Sequence, residues 1–222
     1  MNIKTIDPTI AVEYTAVNSA SEAFSILYSC PQTIALDFEV ASKYTDAEKQ
    51  ELAEIITTLE DPEDIRIMQQ AIHSDGLSHP SLTKITHLSL AYEDNKGYVF
   101  IFDNKAIERV ILNWLVSTNK LQIWHNASFD FKQIYYRTGK FPKNYEDTML
   151  LAKCILNHAE NNKSEVGLKK LMGTLYGSWG LSEDYFTLEQ MHNETVLRYA
   201  TTDACATFRC YSDLQKYRSE NV

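Results

Sequence analysis

Thr33-Ile-Ala-Leu-Asp-Phe-Glu-Val40 sets two carboxylates two residues apart in an otherwise apolar run. Its β-branched and aromatic residues predict a buried strand. Alternation along a strand then sends Asp37 and Glu39 out of one face and Phe38 out of the other. Carboxylates side by side in a buried strand repel one another and are costly to desolvate. A cation between them reverses that repulsion; an edge strand with a solvated acidic face is the other way to carry the pair.

Working outward, Thr83 to Tyr92 and Tyr98 to Phe102 read as strands joined at Asp94-Asn-Lys-Gly97, a hairpin. Ala106 to Ser117 carries Ile107, Val110, Ile111, Trp114 and Leu115 at helical spacing. Leu121 to Trp124 reads as a short strand and Ser128 to Arg137 as a helix. Further helices are predicted over Asp147 to Leu156 and Val166 to Tyr176, and a long one from about Leu188 to Arg218. Between the first strand and the hairpin, Tyr44 to Ser81 predicts two short helices broken at Asp61-Pro62. The pattern fits one α/β domain over residues 1–222, with a mixed sheet flanked by helices and an acidic helical insertion at 44–81.

The net charge of −9 at first argues against a nucleic-acid partner. Between Tyr44 and Asp75, however, nine acids face only Lys49 and Arg66, which puts −7 in one segment and leaves −2 for the rest. No run of about 18 apolar residues could span a membrane, and the polar start lacks the pattern of a secretory signal. Cys30, Cys154, Cys205 and Cys210 lack paired C-x-x-C spacing, so reduced thiols and a cytoplasmic setting are expected.

Two further segments place acids where ligands collect. Trp124-His-Asn-Ala-Ser-Phe-Asp-Phe131 crosses from a strand into a helix, and strand ends in α/β folds commonly line sites. Asp130 also suits the positive end of its own helix, which the Asn126 side chain is placed to cap. Leu197-Arg-Tyr-Ala-Thr-Thr-Asp-Ala204 puts Tyr199 and Asp203 four residues apart on one helical face. Such a pair is either a water-orienting device or an ordinary surface hydrogen bond.

Taken in order, acid-x-Glu in the first strand, Asn-x-x-x-Asp at the junction and Tyr-x-x-x-Asp in the last helix resemble the DEDD 3′-5′ exonucleases. The likeness is to the tyrosine branch, found as the proofreading domain of family-A DNA polymerases. Tyr145-Glu-Asp-Thr-Met-Leu-Leu151 and Gly167-Leu-Lys-Lys-Leu171 resemble segments that follow the second motif. The resemblance implies a ribonuclease-H-like fold with a five-stranded mixed sheet, its fifth strand at Tyr145–Asp147. It implies Asp37, Glu39, Asp130 and Asp203 as ligands of two Mg2+ ions, with Mn2+ able to substitute, and Tyr199 positioning the attacking water. Phe38, Val40, His125, Asn126 and Phe129 are the positions expected to meet substrate. Val40 departs from the family's usual threonine, whose side chain helps hold the terminal nucleotide.

The implied activity is removal of nucleoside 5′-monophosphates from the 3′ end of single-stranded or frayed DNA, with a DNA polymerase or other replication protein as partner. Trimming of RNA in the manner of ribonuclease D, or a silent fold serving as a binding module, are the alternatives. A free-standing enzyme of a bacterium or virus and a part of a larger polymerase both fit the resemblance.

Overall fold

A computed structural model describes residues 12–72, 79–156, 166–176 and 190–221. The predicted first strand is β2, Thr33–Ser42, and it is the second in the chain. Before it come β1 (Glu13–Val17) and helix α1 (Ala20–Ser29), neither anticipated from sequence. The insertion follows as α2 (Asp46–Ile56) and α3 (Pro62–Ile72). The hairpin is β3 (Thr83–Ala91) and β4 (Lys96–Ile101), then α4 (Lys105–Ser117), β5 (Leu121–Trp124) and α5 (Ser128–Thr138). Strand β6 (Tyr145–Asp147), α6 (Thr148–Leu156), α7 (Leu168–Tyr176) and α8 (Glu194–Asn221) complete the order. The predicted start of the last helix at Leu188 lies outside the described residues, and Gln190 to Met191 form a turn before α8.

The sheet has six strands in the order β1-β4-β3-β2-β5-β6, one more than the five expected. β1 adds to the edge, parallel to β4 with Glu13 opposite Lys96. β2 runs antiparallel to β3 and parallel to β5, and β6 is parallel to β5. Helix α1 is set by Ser19, whose hydroxyl accepts the Glu22 amide at 3.2 Å; such a cap contributes about 1 kcal/mol.

Helices cover both faces. On one, α1 and α4 bury Leu27, Ile111 and Leu115 with Phe38, Trp124 and Phe131. On the other, α8 lies over the sheet through Leu197 and Ala200 against Val99 and Ile101. Its outer side buries Ala206, Cys210 and Leu214 with Ala152, Leu171 and Tyr176 of α6 and α7. All four cysteines are free, with only Cys154 exposed.

α2 and α3 pack chiefly against each other. A capping box at Thr45 and Glu48 starts α2. The neck is closed where the Lys43 amide donates to the Leu82 carbonyl at 3.0 Å, beside the last β2–β3 pair, Ser42 with Thr83. No described helix is long and apolar enough to cross a membrane.

Close approach of α8 to the sheet requires Gly97. A Cβ there would stand 2.7 Å from the Leu90 carbonyl oxygen and 2.8 Å from Thr201 Cγ2. Gly97→Ala is therefore expected to destabilise the protein by about 1–3 kcal/mol, the usual cost of overpacking. Chemical denaturation would read this as a lower midpoint at unchanged slope; an unshifted midpoint would contradict the close approach.

Candidate active site

β5 stops pairing with β2 at Ala35, opposite Ile123. Further along β2, the Phe38 amide meets no β5 residue and instead donates to Asp130 Oδ1 at 3.2 Å. Asp130, in the first turn of α5, is 2% exposed. The junction thus brings a carboxylate from the next element to the strand that carries Asp37 and Glu39. Phe38 itself turns the other way, 4% exposed, its ring against Trp124 and Phe102. Its side chain is core and faces away from the acids, which overturns its place among residues expected to meet substrate.

Asp37, Glu39 and Asp203 converge: one carboxylate oxygen from each lies within 4.8 Å of the others. Asp37 and Glu39 come from β2, and Asp203 comes from α8 where small residues, Ala200 and Ala204, let the helix settle on the sheet. Asp130 stands beside this trio rather than in it. Opposite Glu39 the β2–β3 register shifts by one residue, and the Thr86 hydroxyl donates to the Glu39 carbonyl at 3.0 Å. Such bulges re-aim side chains near sites.

The charges strain against one another. Burial, then the Asp203 carboxylate, pushes Asp37 up to about 8. Burial and the neighbouring Asp37 and Asp203 hold Glu39 well above the usual range, and burial followed by Asp37 does the same to Asp130, against the lowering effect of the Phe38 amide. Among the described residues, Lys169 is the cation that answers them. The Lys169 ammonium on α7 pairs with Asp203 and sits 4.4 Å from the centroid of the Tyr199 ring. Nothing in the sequence reading gave Lys169 a role; it stands in a Lys-Lys pair that periodicity cannot separate.

The Asn126 cap is corrected. Asn126 has a positive φ of 60°, and α5 has no side-chain cap of its own. Asp147 does the work instead, accepting the Asn126 amide at 3.1 Å and the Ala127 amide at 2.9 Å. The same carboxylate takes the Met149 amide at 2.8 Å and so starts α6. Thr148 donates to the Trp124 carbonyl at 3.1 Å, so the 2.8 Å contact with His125 Nδ1 has the imidazole as donor. Burial pushes His125 down to about 4, which keeps it neutral. Asn126 is exposed, Phe129 half-buried at the mouth of the junction, and Val40 half-buried with its side chain on the Phe38 core.

Three carboxylates and one ammonium leave −2 when ionised, with oxygen donors only. That donor set fits a hard divalent cation such as Mg2+. Without one, the raised carboxyls bind protons more tightly folded than unfolded, so their contribution to stability is lost as pH rises from about 4 through about 8. In chelator, the melting temperature is expected to fall between about pH 5.5 and 8. Excess Mg2+ at the upper end should restore several degrees by mass action, and a Glu39→Gln variant should flatten the slope. A melting temperature indifferent to both pH and Mg2+ would remove the cation site.

Comparison with known proteins agrees with this geometry. A family model described as 3′-5′ exonuclease matches residues 13–217. No curated protein sequence matches the chain. Among solved structures, Brucella melitensis NrnC bound to pGG has a TM-score of 0.60 at 14% identity, covering 96% of this chain and 84% of that one. Escherichia coli RNase D, described as an exoribonuclease involved in structured RNA processing, has a TM-score of 0.61 at 13% identity. Its match covers 94% of this chain but 46% of RNase D. Trypanosoma brucei RNase D in complex with RNA U12 has a TM-score of 0.57 at 12% identity, covering 93% and 64%. With its ribonuclease-H-like sheet and flanking helices, the chain belongs to the family of metal-dependent 3′-5′ exonucleases.

Proposed function

We propose that this exonuclease removes nucleoside 5′-monophosphates one at a time from the 3′ end of single-stranded nucleic acid, RNA in preference to DNA. The observation that carries the reading is the convergence of Asp37, Glu39 and Asp203 from two elements onto one point, with Asp130 fastened alongside through the Phe38 amide. Carboxylates crowded in this way, at a cost in desolvation and repulsion, make sense where a phosphodiester is held against cations.

Asp37, Glu39 and Asp203 would hold one Mg2+, and Asp130 beside them would help to hold a second, with Mn2+ able to replace either. When bound, such ions lower the pKa of the attacking water and steady the departing 3′ oxygen. The chain's own groups do the remaining work. Tyr199, one turn before Asp203 on α8, orients the water through its hydroxyl. Its ring is fixed under the Lys169 ammonium, and Lys169 also restrains the Asp203 carboxylate. Asn126 and Phe129, at the mouth of the junction, are placed to meet the terminal nucleotide, whereas His125, tied to Thr148, supports the junction.

The preference for RNA is supported by neighbours described with pGG and RNA U12. DNA remains the second reading because the family-model match is to an exonuclease of the polymerase type. A polymerase or replication partner would accompany the DNA reading only. The acidic segment at 44–81 belongs to the same single domain.

Matched 5′-labelled RNA and DNA strands with Mg2+ should each yield a ladder shortened from the 3′ end, RNA the faster. Intact strands of both kinds would refute the reading, and faster DNA loss would reverse the preference. Asp203→Ala removes several kcal/mol of transition-state stabilisation, so the rate should fall on the order of 10³-fold with the fold retained by circular dichroism. Tyr199→Phe deletes one hydrogen bond to a charged centre and should lower kcat by about 10- to 100-fold. An unchanged kcat would take the water-orienting role from Tyr199.

A further inference from the structure

In a chain of net charge −9, the fifteen residues from Phe131 to Tyr145 contain no acid. They hold Lys132, Arg137, Lys140 and Lys143, and five aromatic rings. Four of the rings are on the outside. Tyr135, Tyr136, Phe141 and Tyr145 are 51%, 56%, 53% and 47% exposed. Tyr135 and Phe141 stack with centroids 4.7 Å apart and planes 15° from parallel. Beneath them Phe131, 8% exposed, packs edge-on to Tyr145 at 4.6 Å and to Trp124 in the core at 5.8 Å. The exposed rings therefore stand on a rigid base.

This surface shares helix α5 with the site. Asp130, in the first turn of α5, turns inward to β2, while Ser128, Lys132 and Tyr135, at intervals of four and three, line the outer face of the same helix. At 1.5 Å per residue, Tyr135 stands about 7–8 Å further along the axis than Asp130 and on the other side of the helix, so a strand reaches it only some nucleotides upstream of the acids. Arg137 is committed inward, to Thr83, Gln133 and Glu108. Lys132, Lys140 and Lys143 make no ion pair among the described residues. Past Tyr136, the groove between α4 and α5 adds Lys105 and Arg109.

Resting on the exonuclease reading, we infer that the outer face of α5 and the loop to β6 form a platform for the upstream nucleotides of the strand whose 3′ end lies at the acids. Bases stack on the Tyr135–Phe141 pair while Lys132, Lys140 and Lys143 follow the phosphates. Exposed rings interleaved with unpaired cations and no acid match a single strand, because every base has a face to stack and every linkage a negative charge. The Phe24–Tyr28 pair on α1 is an internal contrast. It is equally stacked, at 4.2 Å, but the stretch from Val12 to Gln32 has no basic residue.

Fluorescence anisotropy with a labelled 12-nucleotide uridine strand, in chelator so that nothing is cleaved, tests the platform. Tyr135→Ala with Phe141→Ala should raise Kd about 10- to 100-fold, from about 1–3 kcal/mol per stacked base. A trinucleotide should be affected far less. Lys132→Ala with Lys140→Ala should lower the salt slope by about 1.4, and Phe24→Ala with Tyr28→Ala should leave Kd within twofold. The inference is overturned if the Tyr135/Phe141 variant binds the 12-nucleotide strand like the wild type, as it would were this face reserved for a protein. It is equally overturned if the Phe24/Tyr28 variant loses as much. Lost binding in the Tyr135/Phe141 variant, when the unmodified protein cleaves nothing in Mg2+, would keep the platform and remove the exonuclease reading; normal binding by the variant, when the unmodified protein cleaves normally, would do the reverse.

Discussion

Mutual repulsion among carboxylates is the constraint around which this molecule is arranged. Asp37 and Glu39 share a face of β2, and Asp203 is pressed onto them by α8. Each such contact opposes folding, and the surrounding architecture has to overrule it. It does so with a sheet bonded on both sides of β2, with a helix whose alanines and opposing Gly97 permit close approach, and with Lys169 from α7. A divalent cation turns the same repulsion into attraction, so the energy stored in the crowding becomes selectivity for charge and radius.

Electrostatics is distributed with equal economy over the surface. The −7 falls within residues 44–75, whose helices α2 and α3 contact chiefly one another, whereas the cations and rings fall in the acid-free stretch from Phe131 to Tyr145. The overall charge therefore says little about partners, because the acids and the bases occupy different parts of the molecule. Field at the site depends on the near groups, and Debye screening over about 8–10 Å mutes the rest.

What could be read beforehand follows from where strong local signals lie. β2 declared itself because Ile34, Ala35 and Leu36 are fully buried and its acids break the run. The hairpin, α4, β5 and α5 were equally legible from periodicity and turn residues. β1 was not, since Glu13–Val17 is mostly exposed on a sheet edge and carries no alternating apolar face. α1 was hidden by its brevity, with only Ala23 and Leu27 buried. Helix capping at the junction was assigned to Asn126 because it is the local candidate. The group that actually serves, Asp147, is twenty residues away and arrives through β6, a relation no local pattern encodes. Lys169 was missed for the same reason: its meaning arises only where α7 meets α8. Phe38 carried two readings: the resemblance put it among the residues expected to meet substrate, while strand alternation put its ring on the core face, where it lies.

The neck between Lys43 and Leu82 has one more implication. Because β2 and β3 remain paired up to Ser42 and Thr83, the excursion through α2 and α3 leaves and returns at adjacent points of an already closed ladder. Lengthening, shortening or replacing that excursion changes loop-closure entropy only logarithmically. Evolution can therefore rewrite the whole appendage, charge included, without moving a single carboxylate a few residues upstream.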